Sequence, residues 1–224
     1  MLSEVFNAEM FALMGQGLLE TLYMVLVSTA LAYVLGLPVG MLLVVTDKDG
    51  IKPNPAINKT VGWIVNLLRS VPFLILLVAV MPLTRAIVGT TIGSTATIVP
   101  LVIASAPYVA RMVENSVKEV DRGVIEAALS MGASTLEIVW KVLLPEAKPS
   151  LIMGAAISTT TILGYTTLAG FVGGGGLGTI GVNYGYYRSR TDIMMVMVVI
   201  LIAIVQVIQE IGSLIARKSD KRIR

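Results

Sequence analysis

The chain has 224 residues, of which 55% are hydrophobic and only 14% charged, with a formal net charge of +3 and a mean hydropathy of +0.84. A water-soluble domain carries about 25% charged residues, so this composition points to a chain solvated by lipid and excludes five core helices of a soluble domain. The lack of cysteine and histidine excludes disulfides, thiol nucleophiles, imidazole acid–base chemistry and most transition-metal sites.

The N-terminal residues MLSEVFNAEM have no basic region and no small-residue cleavage site. They are expected to be retained rather than removed as a signal peptide. Crossing a bilayer core takes about 20 apolar residues per helix. Residues 21–46 carry no charge and form the first expected span. Residues 60–84 form the second, interrupted by Arg69. Arg69 either snorkels to the interface or lines an inner mouth and binds a carbonyl or carboxylate. Residues 95–112 form the third span, and Arg111 and Glu114 end it on one helical face. That spacing gives either an interfacial ion pair of small value or a contact to a neighbouring element. Pro38, Pro72, Pro82, Pro100 and Pro107 lie in or near these spans. Each either kinks its helix or has its freed carbonyl satisfied by neighbours.

Next comes DRGVIEAALSMGASTLEIVWKVLLPEAKP, residues 121–149. Asp121 can cap a short helix through Glu126, Ala127, Ala128 and Leu129, and Gly132 suits the left-handed residue that ends it. Ser134 and Glu137 form S-x-x-E, the signature of a capping box. The second helix carries Ile138, Val139, Val142 and Leu143 at helical spacing, and Pro145 and Pro149 are expected to close it. The segment thus reads as helix, glycine turn, helix. On its own, that is a connector lying on the membrane surface.

The charge-free stretch 149–187 is too long for one helix. Its first part, 150–169, is the fourth expected span. Ser158, Thr159, Thr160, Thr161, Thr166 and Thr167 lie in it, as candidates to line a path or as hydroxyls bonded back to the helix or to neighbouring helices. Leu168 sits where a narrow apolar gate would stand. A glycine-rich loop is expected after it. FVGGGGLG, at 171–178, matches G-x-G-x-x-G with Asp192 19 residues after Gly173. A dinucleotide turn needs a strand before the glycines and a helix after them, whereas a membrane span precedes these. Gly173, Gly174, Gly175, Gly176 and Gly178 are read instead as an outer-mouth turn, permitting tight turns and close approach between two copies. Asp192 is expected to cap the fifth span, 193–216.

Fourteen of the 17 Lys and Arg then fall on one side of the membrane. Basic residues favour the cytoplasm, which places the N-terminus outside, the C-terminus and its basic tail (217–224) inside, and the 121–149 loop in the cytoplasm. The fold class is an all-α integral membrane protein with about five transmembrane helices. It is one transmembrane domain over 1–224, with a core at about 17–213.

The cytoplasmic loop resembles the EAA loop of ABC-importer permeases, in which E-A-A, a glycine, nine residues and I-x-L-P follow one another. Here these are Glu126, Ala127, Ala128, Gly132, then Val142 in place of the isoleucine, Leu144 and Pro145. NLLRSVPFLILLVAVMPLTRAIVGT, APYVARMVEN and GYTTLAGFVGGGGLGTIGVNYGY are similar to the permease subunits of methionine importers over nearly the full length. The resemblance implies a type I ABC importer permease fold and a homodimer in the cell membrane. It also implies two copies of a separate ATPase that bind ATP and Mg, and an extracytoplasmic substrate-binding protein. Glu126 would meet the ATPase, Gly132 would set the bend between the loop helices, and Pro145 would end the second. An importer for another small amino acid or related solute is the alternative.

No G-x-x-x-x-G-K-[ST] occurs, so the chain has no P-loop and is no ATPase itself. Without His, Cys or paired acidic residues in the spans, it is not expected to be a membrane enzyme, to hold a cofactor or metal, or to bind nucleic acid. A channel or structural membrane protein would have no use for an EAA loop.

Overall fold

A computed structural model describes residues 8–220. The start of the N-terminal stretch, residues 1–7, and Lys221, Arg222 and Arg224 of the basic tail lie outside the described residues.

The described chain is all helix and turn. Helix α1 (Ala8–Thr46) is followed by α2 (Pro55–Ser70), α3 (Phe73–Ala79), α4 (Met81–Val88) and α5 (Ser94–Lys118). Then come α6 (Arg122–Ser130), α7 (Thr135–Ile138), a π-turn (Val139–Leu143) and α8 (Leu144–Glu146). The rest is α9 (Lys148–Ala169), a 3₁₀ turn (Gly170–Val172), α10 (Gly176–Ile180), a second π-turn (Gly181–Tyr186) and α11 (Thr191–Ser219). Four stretches are long and apolar enough to cross a bilayer: α1, α5, α9 with its 3₁₀ turn, and α11.

The second expected span, 60–84, is not one helix. It is divided among α2, α3 and α4, with a bend of 99° between α2 and α3. The break falls at Pro72. Its ring disfavours a helical residue before it and removes an N–H, so the chain restarts with Pro72 as the N-cap of α3. Pro82 stands in the first turn of α4, where its missing N–H costs nothing. Pro38, Pro100 and Pro107 lie inside α1 and α5, which continue through them.

The residues cluster into two compact units. One comprises the chain up to Ala30, Val71–Ser105 and Thr159–Ile208. Its core has Met24, Phe73, Leu77, Leu101, Ile162 and Ala169, with the Phe73 ring stacked on Tyr165 at 4.5 Å. The other comprises Leu31–Ser70, Ala106–Ser158 and the chain from Gln209. Val109, Val113, Val117, Ala128, Ile138 and Leu143 belong to its core. Here α1 and α5 meet backbone to backbone. A Cβ on Gly36 would stand 2.7 Å from the Ala106 carbonyl oxygen, and one on Gly40 2.5 Å from that of Ala110. Small residues at such crossings are how membrane helices gain van der Waals contact when lipid supplies no hydrophobic drive.

Candidate functional site

The 121–149 loop is built as its residues dictate. Asp121 accepts a hydrogen bond from the Gly123 N–H at 2.7 Å and starts α6. Gly132 follows α6 at φ 78°, the left-handed geometry that glycine takes without strain. The Ser134 and Glu137 capping box closes in both directions and starts α7. Lys141 bonds Glu137 at 2.9 Å, and together with Ser134 it pulls the Glu137 carboxyl down to about 2.

Two features of the loop come only from the fold. Pro145 does not close the second helix. The chain passes from α7 through the π-turn into α8 and breaks only at Ala147. In the π-turn the Leu144 N–H bonds the Val139 carbonyl five residues back. This wider ladder lets the proline ring follow without a clash. The two alanines also part company. Glu126 and Ala127 are exposed, whereas Ala128 is 3% exposed and packs in the core with Ile138 and Leu143. Val142 and Leu144 are half-buried, while Pro145 and Gly132 are exposed. The loop thus leaves Glu126, Ala127, Met131, Leu136 and Trp140 exposed, apolar side chains interspersed with carboxylates.

At the end of α5, Arg111 and Glu114 form the expected pair, in a stronger setting than an interfacial one. Glu114 is 5% exposed and accepts from Arg111 and from Lys118, the latter at 2.8 Å. Arg111 also donates to the Gly62 carbonyl at 3.1 Å and to Asn66 Oδ1 at 3.0 Å, both on α2. Removing one partner of a buried ion pair costs about 3–5 kcal/mol, against at most about 1 for a surface pair. Lys118 reaches Asp47 at 2.6 Å and holds its carboxyl below the usual carboxylate range. Arg69 stands apart from this network, exposed, with its guanidinium 6.0 Å from the Tyr108 ring centre.

Along α9 two of the six candidate hydroxyls are buried. Ser158 and Thr166 are buried and donate to Gly154 O at 2.8 Å and Leu163 O at 2.7 Å. Thr167 bonds Leu163 O at 3.2 Å, and Thr159, Thr160 and Thr161 are half-buried. The open face of α9 carries Met153, Ile157, Gly164 and Leu168. Four- and seven-residue steps put them in one stripe, a helical spacing readable in the sequence.

The glycine-rich loop expected after the fourth span is a turn only at 173–175; Gly176 and Gly178, expected in that turn, lie in α10, and the second π-turn follows. The cause lies far away in sequence. The Glu20 carboxylate accepts the Gly176 N–H at 2.7 Å, and Thr21 Oγ1 accepts the Leu177 N–H at 2.9 Å, so α1 caps α10. Gly173, Gly175 and Gly176 take positive φ. A Cβ on Gly178 would stand 2.7 Å from the Thr167 Cα, and one on Gly174 2.8 Å from the Ala169 carbonyl oxygen. These close approaches are made within the chain, where the sequence suggested approach between copies. Nothing near the glycines signals Glu20 or Thr21. The sole sequence hint is a carboxylate at the edge of an otherwise charge-free run. Asp192 is the second residue of α11 rather than its cap, and its carboxylate is engaged by Arg190 at 2.9 and 3.1 Å.

Residues 32–224 match the family model of the binding-protein-dependent transport system inner membrane component. The chain is 48% identical over 219 residues to the probable D-methionine transport system permease protein MetI of Vibrio cholerae, covering 96% of this chain and 97% of that one. It is 45% identical over 181 residues to the methionine import system permease protein MetP of Bacillus subtilis, covering 81% and 82%. It is also similar to a chain of the MetNI methionine ABC transporter crystallised in inward-facing conformations, with a TM-score of 0.95 at 47% identity, covering 96% of this chain and all of that one.

Proposed function

The chain belongs to the family of binding-protein-dependent transport system inner membrane components, and from that premise we propose that it is the permease subunit of an ATP-driven methionine importer. Full-length likeness to methionine permeases, together with an intact helix–glycine–helix loop that leaves Glu126 and Ala127 uncovered, carries this reading. Two copies form the path, a separate ATPase pair holds ATP and Mg, and an extracytoplasmic binding protein delivers the ligand. The basic residues favour an outside N-terminus and a cytoplasmic C-terminus.

The uncovered surface of the loop docks on the ATPase. The 122–130 helix moves with the ATPase as it closes and opens, and the spans rock between inward-open and outward-open states. The open stripe of α9, with Leu168 near one end, faces the path. Its apolar character suits a methionine side chain, while backbone groups and hydroxyls meet the zwitterionic head. Glu20 and Thr21 fix the glycine turn at the outer mouth. Nucleotide is bound by the partner ATPase and plays no part at the glycines.

Uptake of labelled methionine by cells lacking this chain and other methionine carriers tests the proposal. Restored uptake on complementation, competed by unlabelled methionine, is the expected result. Uptake restored for another small amino acid but not for methionine would replace the substrate.

A further inference from the structure

Between α1 and α2 the chain makes a tight turn at residues 47–51. It is pinned by the Gly50 N–H on the Asp47 carbonyl at 2.9 Å, the Lys52 N–H on Val45 O at 3.0 Å and the Asn54 N–H on Thr46 O at 3.0 Å. Asn58 donates from α2 to the Leu43 carbonyl at 2.8 Å and adds a further tie. A Cβ on Gly50 would run into the Val44 carbonyl and stand 2.6 Å from that of Val45. The backbone of the turn is therefore tied to the end of α1.

Those carboxylates meet the stretch that leads into α6. Asp47 holds Lys118 at 2.6 Å, and Asp49 holds Arg122 at 3.2 Å. Lys118 is the last residue of α5 and Arg122 the first of α6, so the two ties bracket the Asp121 cap. A cavity of about 520 Å³, with Val44, Ile51, Val117, Ile125, Leu129 and Leu143 in its walls, lies at this junction. Asp47, Asp49, Lys118 and Arg122 line it as well, so the two ion pairs stand at the edge of this open space.

We infer that the 47–51 turn is a strut that ties the coupling helix to the end of α1, with Asp47 and Asp49 as positioning residues for energy coupling. A displacement of α6 then reaches α1 through Asp49 and Asp47. It reaches α2 through Lys118, Glu114 and Arg111. The inference rests on the reading of α6 as the helix that docks the ATPase.

The test uses the whole transporter, permease with its ATPase and binding protein, in proteoliposomes. Methionine uptake and ATP hydrolysis are measured together for Asp49→Lys, Arg122→Asp and the double exchange. Both side chains are largely solvent-facing, at 49% and 70% exposure, so these variants should fold. Each single exchange is expected to lower methionine imported per ATP hydrolysed about two- to fivefold, the factor that matches the energy of a partly exposed pair. The double exchange should restore the ratio. A purely structural role would reduce the amount of assembled transporter and leave the ratio unchanged. Wild-type ratios in both single variants would overturn the strut, as would a double exchange no better than the singles. A wild-type transporter that hydrolyses ATP and imports no methionine would instead sink the transport reading.

Discussion

Ala127 and Ala128 are neighbours in sequence on different sides of α6. Ala127 is exposed and Ala128 is sealed against Ile138 and Leu143. Their charged variants should therefore fail in different ways. Ala127→Asp should leave the protein folded and lose ATP-driven uptake with reduced co-purification of the ATPase. Ala128→Asp buries an unpaired carboxylate, which costs on the order of 4 kcal/mol or more, and should be lost as aggregate during detergent extraction. Normal yield and melting temperature for Ala128→Asp would contradict the packing described. The identity of the two residues was plain in the sequence. Which one faces the core was not, because the apolar residues of this nine-residue helix run round more than one face and leave its facing angle to the partner it packs on. The same limit applied to Ser158 and Thr166. Their hydroxyl chemistry fits a polar path equally well, and only the fold shows both buried and bonded back to carbonyls of their own helix.

At the scale of elements, the caps of the 121–149 loop were legible, whereas the local cap expected at Asp192 and the cap made across the chain were not. The Ser134 and Glu137 box could be read off directly, and it forms. Lys141 and Ser134 favour the Glu137 carboxylate in the folded chain, with its pKa lowered from 4.5 to about 2. A depressed folded pKa contributes stability that is full above the unfolded value and is lost as pH falls through the folded one. The Glu137 carboxyl should thus keep its ionised ¹³C shift in the solubilised protein down to about pH 3, where a free glutamate is already protonated. A midpoint near the ordinary glutamate value would mean an open box. For α10 the cap comes from Glu20 and Thr21, about 156 positions away. Glu20→Gln should weaken the bond to the Gly176 N–H by about 1 kcal/mol, and Thr21→Val should remove the bond to Leu177 at a similar cost. Hydrogen exchange at Gly176 and Leu177 should accelerate in each variant. Unchanged exchange would show that the turn stands without α1.

For the whole molecule, the distribution of lysine and arginine predicts which ends are wet on which side. The absence of native cysteine makes the check direct. A cysteine at Lys52 should react with a membrane-impermeant maleimide only in inside-out vesicles, and one at Arg188 only in right-side-out cells. Labelling of Lys52→Cys from outside would reverse the orientation. By itself the sequence determined the lipid environment, the number of apolar stretches, the charge bias and the two-helix loop, because each is set by composition or by residues within a few positions of one another. Tertiary structure decided the rest. It broke the second span at Pro72, turned an expected glycine loop into a capped helix, buried Glu114 between two cations and brought Asp47 and Asp49 to the edge of α6. Each of these depends on a partner brought close only by folding or, at Pro72, on whether the surrounding helices absorb a break that the sequence merely permits. The run of glycines shows the division most clearly. Its spacing suggested a nucleotide, its membrane setting excluded one, and only the folded chain shows that glycine is needed there so that backbone can lie against Thr167 and under the carboxylate of Glu20.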